Sequence, residues 1–358
     1  MRFGSLALLQ SVLATHELPG GAEAPASPGA AARVVWQPWR ADDLLPGYQA
    51  REMDLIGVAR HPEEIDPELG TEALVATLVR RGRARHTRAV LYLHGWNDYF
   101  FQTHVAQWWD AMGYDFYALD LRRYGRSIRA GMMPGFIEDL GEYDLEIDAA
   151  VARVRRHHGA VVLSAHSTGG LVAALWADRH PGLVEGLVLN SPWIELQGSA
   201  IIRALMPPII RSLATRAATW TLPIPDNGFY ARTLDLLNDG TWSYEADLKR
   251  NPSQPIRSAW LTAVMRGHSQ ISAGLDIQVP ILMATAARSD FRRKWSEDLL
   301  GADTVLDVPR LAAKAHLLGR HLTLVRIEGA IHDITLSERS VRERFADEIR
   351  RWEAAYLR

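Results

Sequence analysis

The residues Ser164-Ala165-His166-Ser167-Thr168-Gly169-Gly170 stand between an apolar run, Ala160–Leu163, and a second apolar stretch, Gly169–Asp178. Small residues lie two positions to either side of Ser167, Ala165 before it and Gly169 after it. A serine on a sharp strand-to-helix turn takes strained backbone angles and needs small neighbours. The turn lifts the hydroxyl above the sheet and sets it at a helix N-terminus, whose N–H groups and dipole favour a developing anion. The chemistry this implies is nucleophilic catalysis by Ser167. The usual pattern has glycine where this chain has Ala165, so the turn must hold one extra methyl. A serine that merely caps a helix after a βα loop is the competing account. The strand–turn–helix setting with small residues on both sides weighs against it.

A nucleophilic serine needs a base, and Gly329-Ala330-Ile331-His332-Asp333 offers one between the last strand and the last helix. The chain has 13 histidines, so a lone histidine carries no weight; His332 is singled out by coming after Ser167 and after a candidate acid, the order Ser, acid, His. The acid fixes the imidazole tautomer and stabilises the imidazolium, so it needs reach rather than basicity. Two aspartates qualify, Asp290 in Ala287-Arg288-Ser289-Asp290 and Asp303 in Gly301-Ala302-Asp303-Thr304. Asp303 precedes His332 by 332 − 303 = 29 residues, room for one helix and one strand, and that layout favours it; Asp290 stays as the alternative. An oxyanion site completes the set. His94-Gly95-Trp96-Asn97 follows the apolar run Arg88–Leu93, and glycine there lets backbone approach a substrate carbonyl. The expected donors are the backbone N–H groups of Trp96 and Thr168.

These residues need a frame. Short apolar runs at Gln49–Ile56, Ala73–Val79, Arg88–Leu93, Asp115–Leu119, Ala160–Leu163, Val184–Leu189, Val279–Thr285 and His321–Ile327 read as strands. Helical patterns at Gln107–Met112, Asp139–His157, Gly169–Asp178, Arg310–Leu318 and Ser337–Tyr356 alternate with them. Alternation with wholly apolar strands predicts a mostly parallel sheet covered on both faces, an α/β fold. The first two runs lack an intervening helix and predict an antiparallel hairpin at one edge. Residues 1–32, rich in Gly, Pro and Ala, read as a flexible arm. Residues 33–193 and 276–358 form the core. Residues 194–275 interrupt the alternation with prolines, aromatics and two helical stretches, Ile201–Leu213 and Ser258–Met265, and read as a lid insertion.

At these positions the chain resembles the α/β-hydrolase superfamily, in particular its monoacylglycerol lipase, lysophospholipase and serine aminopeptidase-like branch. The resemblance rests on His94-Gly95, Asp120-Leu121-Arg122-Arg123-Tyr124-Gly125-Arg126-Ser127, the turn at Ser167, Gly301-Ala302-Asp303, and Gly329 to His332. It implies an eight-stranded, mostly parallel sheet with a lid after the sixth strand, no cofactor, and ester hydrolysis through an acyl-enzyme. In that branch an Asp shortly after a Gly carries the acid, a setting similar to that of Asp303. The segment 286–302 is longer than usual, which keeps Asp290 in play. The 120–127 stretch resembles a structural motif of that branch that supports the oxyanion loop, and no catalytic role is expected of it.

Composition narrows the classes. Hydrophobic residues make up 47% of the 358 residues, enough for a large core. The net charge of −2 gives no footprint for nucleic acid. There is no cysteine, which removes disulfides, thiolate metal sites and Cys nucleophiles. His157-His158 are adjacent and diverge on a helix, and no His-Glu-x-x-His occurs, so no catalytic metal is expected. Phe3–Ala14 is too short and broken for a signal peptide, no run reaches a membrane span, and the cytoplasm is the default location.

The expected substrate is a small ester with an apolar acyl chain, such as a monoacylglycerol or lysophospholipid. Trp220, Phe229, Tyr230, Trp242, Tyr244 and Trp260 could line its pocket or simply form the lid's own core. A peptidase on the same residues is the sibling reading, with Asp226, Asp235, Asp239, Glu245 or Asp247 to bind a free amino terminus. A non-catalytic binding protein of the same fold is a third, against which an intact Ser, His and acid set argues. Oligomeric state is not legible.

Overall fold

The computed structural model describes residues 32–64, 73–197 and 208–357. All but the last residue of the expected arm, and the first part of the expected helix at 201–213, lie outside the described residues; helix is present over 208–214. The strands are β1 (Arg33–Trp36), β2 (Arg40–Ala41), β3 (Gln49–Ile56), β4 (Val75–Arg80), β5 (Arg88–Leu93), β6 (Tyr114–Asp120), β7 (Ala160–His166), β8 (Gly186–Asn190), β9 (Ile281–Ala286) and β10 (Leu322–Ile327). They form one sheet in the order β1-β3-β4-β6-β5-β7-β8-β9-β10, with β2 also on β3. The run from β6 to β10 is parallel, and β3 and β4 are antiparallel.

Among the described residues the sheet thus has ten strands rather than eight. All eight expected strands are present. The two additions are N-terminal, and β1 pairs outside β3, so the β3–β4 pair is not at the edge. Arg33–Trp36 is a half-exposed edge strand whose apolar stretch is only Val34-Val35-Trp36, too short to stand out beside the Gly- and Ala-rich residues before it.

Helices are α1 (Thr103–Ala111), α2 (Asp144–Arg155), α3 (Ser167–Arg179), α4 (Phe229–Leu234), α5 (Ser258–Ala273), α6 (Val308–Lys314) and α7 (Arg339–Tyr356). Alternate residues of each central strand feed opposite layers. Leu91, Leu93, Leu163 and Leu189 join α2, α3 and α5 on one face. Val90, Tyr92, Val162 and Val188 join Trp109 of α1 and Val341, Phe345, Ile349 and Trp352 of α7 on the other. Each of those large side chains removed from water contributes about 1.5–3 kcal/mol, which is why the central strands need no polar face. α5 runs eight residues beyond the expected Met265. Its Gly267 lies against Leu175, Leu171 and Leu140, and Trp260 is fully buried in the core. This end of the insertion therefore packs on α3 as part of the helix layer.

Candidate active site

β7 runs into α3 with no connecting loop, and Ser167 is the first helical residue. Its φ is +51°, the left-handed backbone that a non-glycine residue adopts only under constraint. Two contacts hold the turn. The Ser167 carbonyl accepts the Trp193 N–H at 3.0 Å. Gly169 lies so close to the end of β5 that a methyl there would meet the His94 carbonyl oxygen at 2.2 Å. The small residue two positions after the serine is thus dictated by strand–helix contact, while Ala165 is fully buried on β7 without obstructing the turn.

Ser167 Oγ lies 2.9 Å from His332 Nε2, and His332 Nδ1 lies 2.9 Å from Asp303 Oδ2. All three residues are buried. Their chain separations are 165 and 29 residues, so the fold alone assembles them. The other oxygen of Asp303 accepts the N–H groups of Val305 at 2.8 Å and Leu306 at 2.7 Å. This carboxylate is fully hydrogen-bonded at zero exposure. With Asp303 ionised, Nδ1 carries the imidazole proton and Nε2 is free to accept one from the serine. Asp290 lies elsewhere: Arg288 and Arg292 hold its carboxylate at 3.1 and 2.7 Å. The hydrogen bond from Arg292 brings its pKa down to about 2.

The His332 loop is held from below. Ser337 Oγ accepts the Ile331 N–H, and Asn190 Oδ1 at the end of β8 accepts the Ile334 N–H. Asn190 Nδ2 donates to Asp333 at 2.6 Å. Burial raises the Asp333 carboxyl's pKa, but His166, the Thr335 and Asn190 hydrogen bonds and the Lys249 charge outweigh it and leave the group below its ordinary value. His166 is pushed below its ordinary value by burial. Asn190 and Asp333 had no sequence signal as loop anchors beyond standing at a strand end and beside the histidine.

In the loop after β5, His94 Nε2 accepts the Leu121 N–H at 3.1 Å and Nδ1 donates to the Gly95 carbonyl at 2.8 Å. A methyl on Gly95 would come within 3.1 Å of Ser167 Cβ, so this backbone is in contact with the serine. The Thr168 N–H lies in the first turn of α3, where helical N–H groups have no intrahelical acceptor. The 120–127 segment buttresses this loop. Asp120 accepts the N–H groups of Phe100 and Arg126. The guanidinium of Arg122 meets Glu146, that of Arg123 meets Glu64, and that of Arg126 meets Asp42 and Asp120, every pair buried.

Above the serine lies a cavity of about 640 Å³ lined by Trp96, Ser167, Leu222, Ile224, Tyr230 and Ile256 among others. Of the expected aromatics, Tyr230 and Tyr244 line it. Tyr230 meets the His332 ring edge-on at 5.3 Å. Trp260 belongs to the core, Trp242 stacks on His104, and Phe229 packs on Trp295. Of the five acidic residues considered for binding an amino terminus, Asp226 alone lines the cavity, and its oxygens accept the Gly228 and Ser253 N–H groups.

One set of residues has cation-ligand character. Asp98, His166 and Asp333 bring one ligand atom each within 4.8 Å of one another. The Lys249 ammonium sits 2.7 Å from Asp98 and already supplies the positive charge there. Among the described residues no helix is long and apolar enough to cross a membrane.

A mostly parallel sheet, a serine on a left-handed strand–helix turn and a histidine loop after the last strand define an α/β-hydrolase. The chain belongs to the Hydrolase_4 family, serine aminopeptidase S33, which it matches over residues 84–339. It is therefore a hydrolytic enzyme. A curated relative, phospholipase YtpA of Bacillus subtilis, is 33% identical over 116 residues, 32% of this chain and 43% of that protein, less than half of the relative's length. Among solved structures, the monoacylglycerol lipase of Paleococcus ferrophilus superposes with a TM-score of 0.54 at 16% identity, covering 74% of this chain and 92% of that one. A soluble variant of the Saccharomyces cerevisiae monoglyceride lipase does so with 0.54 at 12% identity, covering 90% and 96%. At these identities the superpositions speak for the fold.

Proposed function

We propose that the protein hydrolyses carboxylic esters of an apolar acyl chain, monoacylglycerol-like or lysophospholipid-like, through a Ser167–His332–Asp303 triad. The observation that carries this is the unbroken relay of two 2.9 Å contacts at the floor of a cavity with a mixed lining, in which Leu222, Ile224, Leu234, Ile256 and Phe291 supply apolar wall. Ser167 Oγ attacks the ester carbonyl carbon while His332 Nε2 takes its proton. Asp303 stabilises the resulting imidazolium. The N–H groups of Trp96 and Thr168 receive the oxyanion, and donors of this kind contribute about 10²–10³ in rate each. His332 then returns the proton to the departing alkoxide, leaving an acyl-serine. Water activated by the same imidazole attacks that acyl group and releases the acid. Residues 208–257 serve as the lid: they supply most of the cavity wall, and nothing from 258–275 reaches it.

The names of the relatives, phospholipase and monoacylglycerol lipase, agree with a lipid ester. An aminopeptidase reading draws on Asp226 in the cavity wall, though both its oxygens already take backbone N–H groups. The test is hydrolysis of p-nitrophenyl esters across acyl lengths beside aminoacyl p-nitroanilides, with Ser167→Ala as control. Ester turnover that rises with acyl length and vanishes in Ser167→Ala supports the proposal. Anilide turnover exceeding ester turnover supports the peptidase. No Ser167-dependent turnover of either overturns both.

A further inference from the structure

The two residues after the oxyanion donor Trp96 are held by the insertion. Asn97 has φ +53°, a conformation that costs a non-glycine residue about 1 kcal/mol or more. Its side chain makes three bonds to one short stretch. Asn97 Nδ2 donates to the Arg250 carbonyl at 2.8 Å, and Oδ1 accepts the N–H groups of Arg250 at 3.2 Å and Gln254 at 3.3 Å. The next residue, Asp98, is 1% exposed and takes the Lys249 ammonium at 2.7 Å across 151 residues of chain. Lys249 is itself buried, with the rings of Tyr230 and Phe101 at 5.7 and 5.9 Å. On the other side, the Trp96 ring lies 3.8 Å from the ring of Trp260. The donor is bracketed, with the helix layer on its side chain and the insertion on the residues that follow it.

We infer that Asn97 and the Asp98–Lys249 pair form a clamp by which the 249–254 segment of the insertion holds the oxyanion loop in its working geometry. Asn97 and Lys249 are positioning residues that act through the Trp96 N–H. A buried carboxylate is costly without its cation, and a left-handed Asn is kept only by what surrounds it. Removing the 249–254 segment takes away both supports together. The placement of the 249–254 segment and the geometry of the oxyanion loop are therefore coupled. A structural ion pair with no such link would affect stability alone.

The inference rests on the serine-hydrolase reading for its kinetic arm and not for its exchange arm. Lys249→Met leaves Asp98 buried without a counter-charge and can fail to fold, so the main variant is Asp98→Asn/Lys249→Met, which removes both charges. Asn97→Ala and Lys249→Arg accompany it. In the double variant and in Asn97→Ala, kcat on a p-nitrophenyl ester is expected to fall about 10- to 100-fold, a fraction of the loss for deleting a donor outright. KM should stay within about twofold, and hydrogen exchange at the 94–98 amides should rise. Lys249→Arg, which keeps the cation, should recover much of the rate. Unchanged kcat and unchanged exchange overturn the clamp. So does a loss confined to KM, which would make Lys249 only cavity wall, or a loss that follows the unfolded fraction in a melt. If Ser167→Ala keeps its turnover, the serine reading fails, and exchange at 94–98 alone decides the clamp.

Discussion

Asp290 and Asp303, the two aspartates that could serve as the acid, lie on backbone segments bonded to each other: the Asp290 N–H donates to the Asp303 carbonyl at 2.9 Å, and the Asp303 N–H donates to the Arg288 carbonyl at 3.0 Å. They are backbone neighbours with opposite fates. The Asp303 carboxylate is fully buried on His332, and that of Asp290 lies near the surface between two arginines. Asp303→Asn presents an amide to the imidazole and favours the wrong tautomer. By the measure of other triads, kcat should fall by roughly 10³–10⁴-fold. Asp290→Asn should stay within about threefold of the parent. Steady-state ester kinetics on the two variants checks this, and a larger loss at Asp290 would reverse the assignment.

Gly169 tests the turn. A methyl there meets the His94 carbonyl oxygen at 2.2 Å and the Leu93 carbonyl oxygen at 2.9 Å. These atoms are backbone and cannot swing aside, so Gly169→Ala must push α3 off β5. We expect a loss of about 3 kcal/mol or more in denaturant unfolding, at the top of the range for overpacking. Gly159→Ala, whose methyl would find only the Thr87 carbonyl oxygen at 3.9 Å, should change stability by less than about 0.5 kcal/mol.

The sequence was legible where chemistry and burial are local. Ser167 and its small neighbours occupy one strand–turn–helix unit, and the central strands β4 to β9 stand out because they are almost wholly buried. The edge strand Arg33–Trp36 offers only the short Val34-Val35-Trp36 beside an Ala- and Gly-rich stretch, and it is half-exposed; its pairing with β3 is set by tertiary structure. The last eight residues of α5 are hard to read from sequence because Gly267, His268, Ser269 and Gln270 interrupt its apolar texture. Two of them, Gly267 and His268, are nevertheless buried, the first by close helix contact and the second by donating to the Trp193 carbonyl at 2.8 Å. The Lys249–Asp98 pair was out of reach for a different reason. A buried ion pair looks in sequence like any Lys and any Asp, and only tertiary structure joins them.

His268 supplies a pH prediction. Burial lowers its pKa to about 4, against about 6.5 in the unfolded chain. Between those values the unfolded state binds a proton that the folded state does not, so stability rises with pH across that window. It is complete above pH about 6.5 and is lost as the pH falls toward 4. The full loss from one such group is on the order of 3 kcal/mol. Unfolding free energies at pH 7 and 5 for the parent and His268→Gln should show a smaller drop in the variant. An equal drop would mean that His268 takes up its proton as readily in the fold as in the unfolded chain.

The cavity gives the last prediction. Ile256 lines it and is half-buried, so a larger side chain can enter the cavity without rebuilding the core. Ile256→Trp should shorten the acyl chain the enzyme prefers, because a buried methylene contributes about 0.8 kcal/mol and each one denied entry forfeits it. Two or three lost methylenes would cut kcat/KM for a dodecanoyl ester by about 10- to 50-fold. An acetyl ester, which does not extend that far, should be hydrolysed at close to the parent rate. The measurement is the ratio of kcat/KM between the two esters in parent and variant. A parallel fall on both would indicate damage to the Ser167 site, and no change on either would place the acyl chain along another wall, such as that formed by Leu222 and Tyr230.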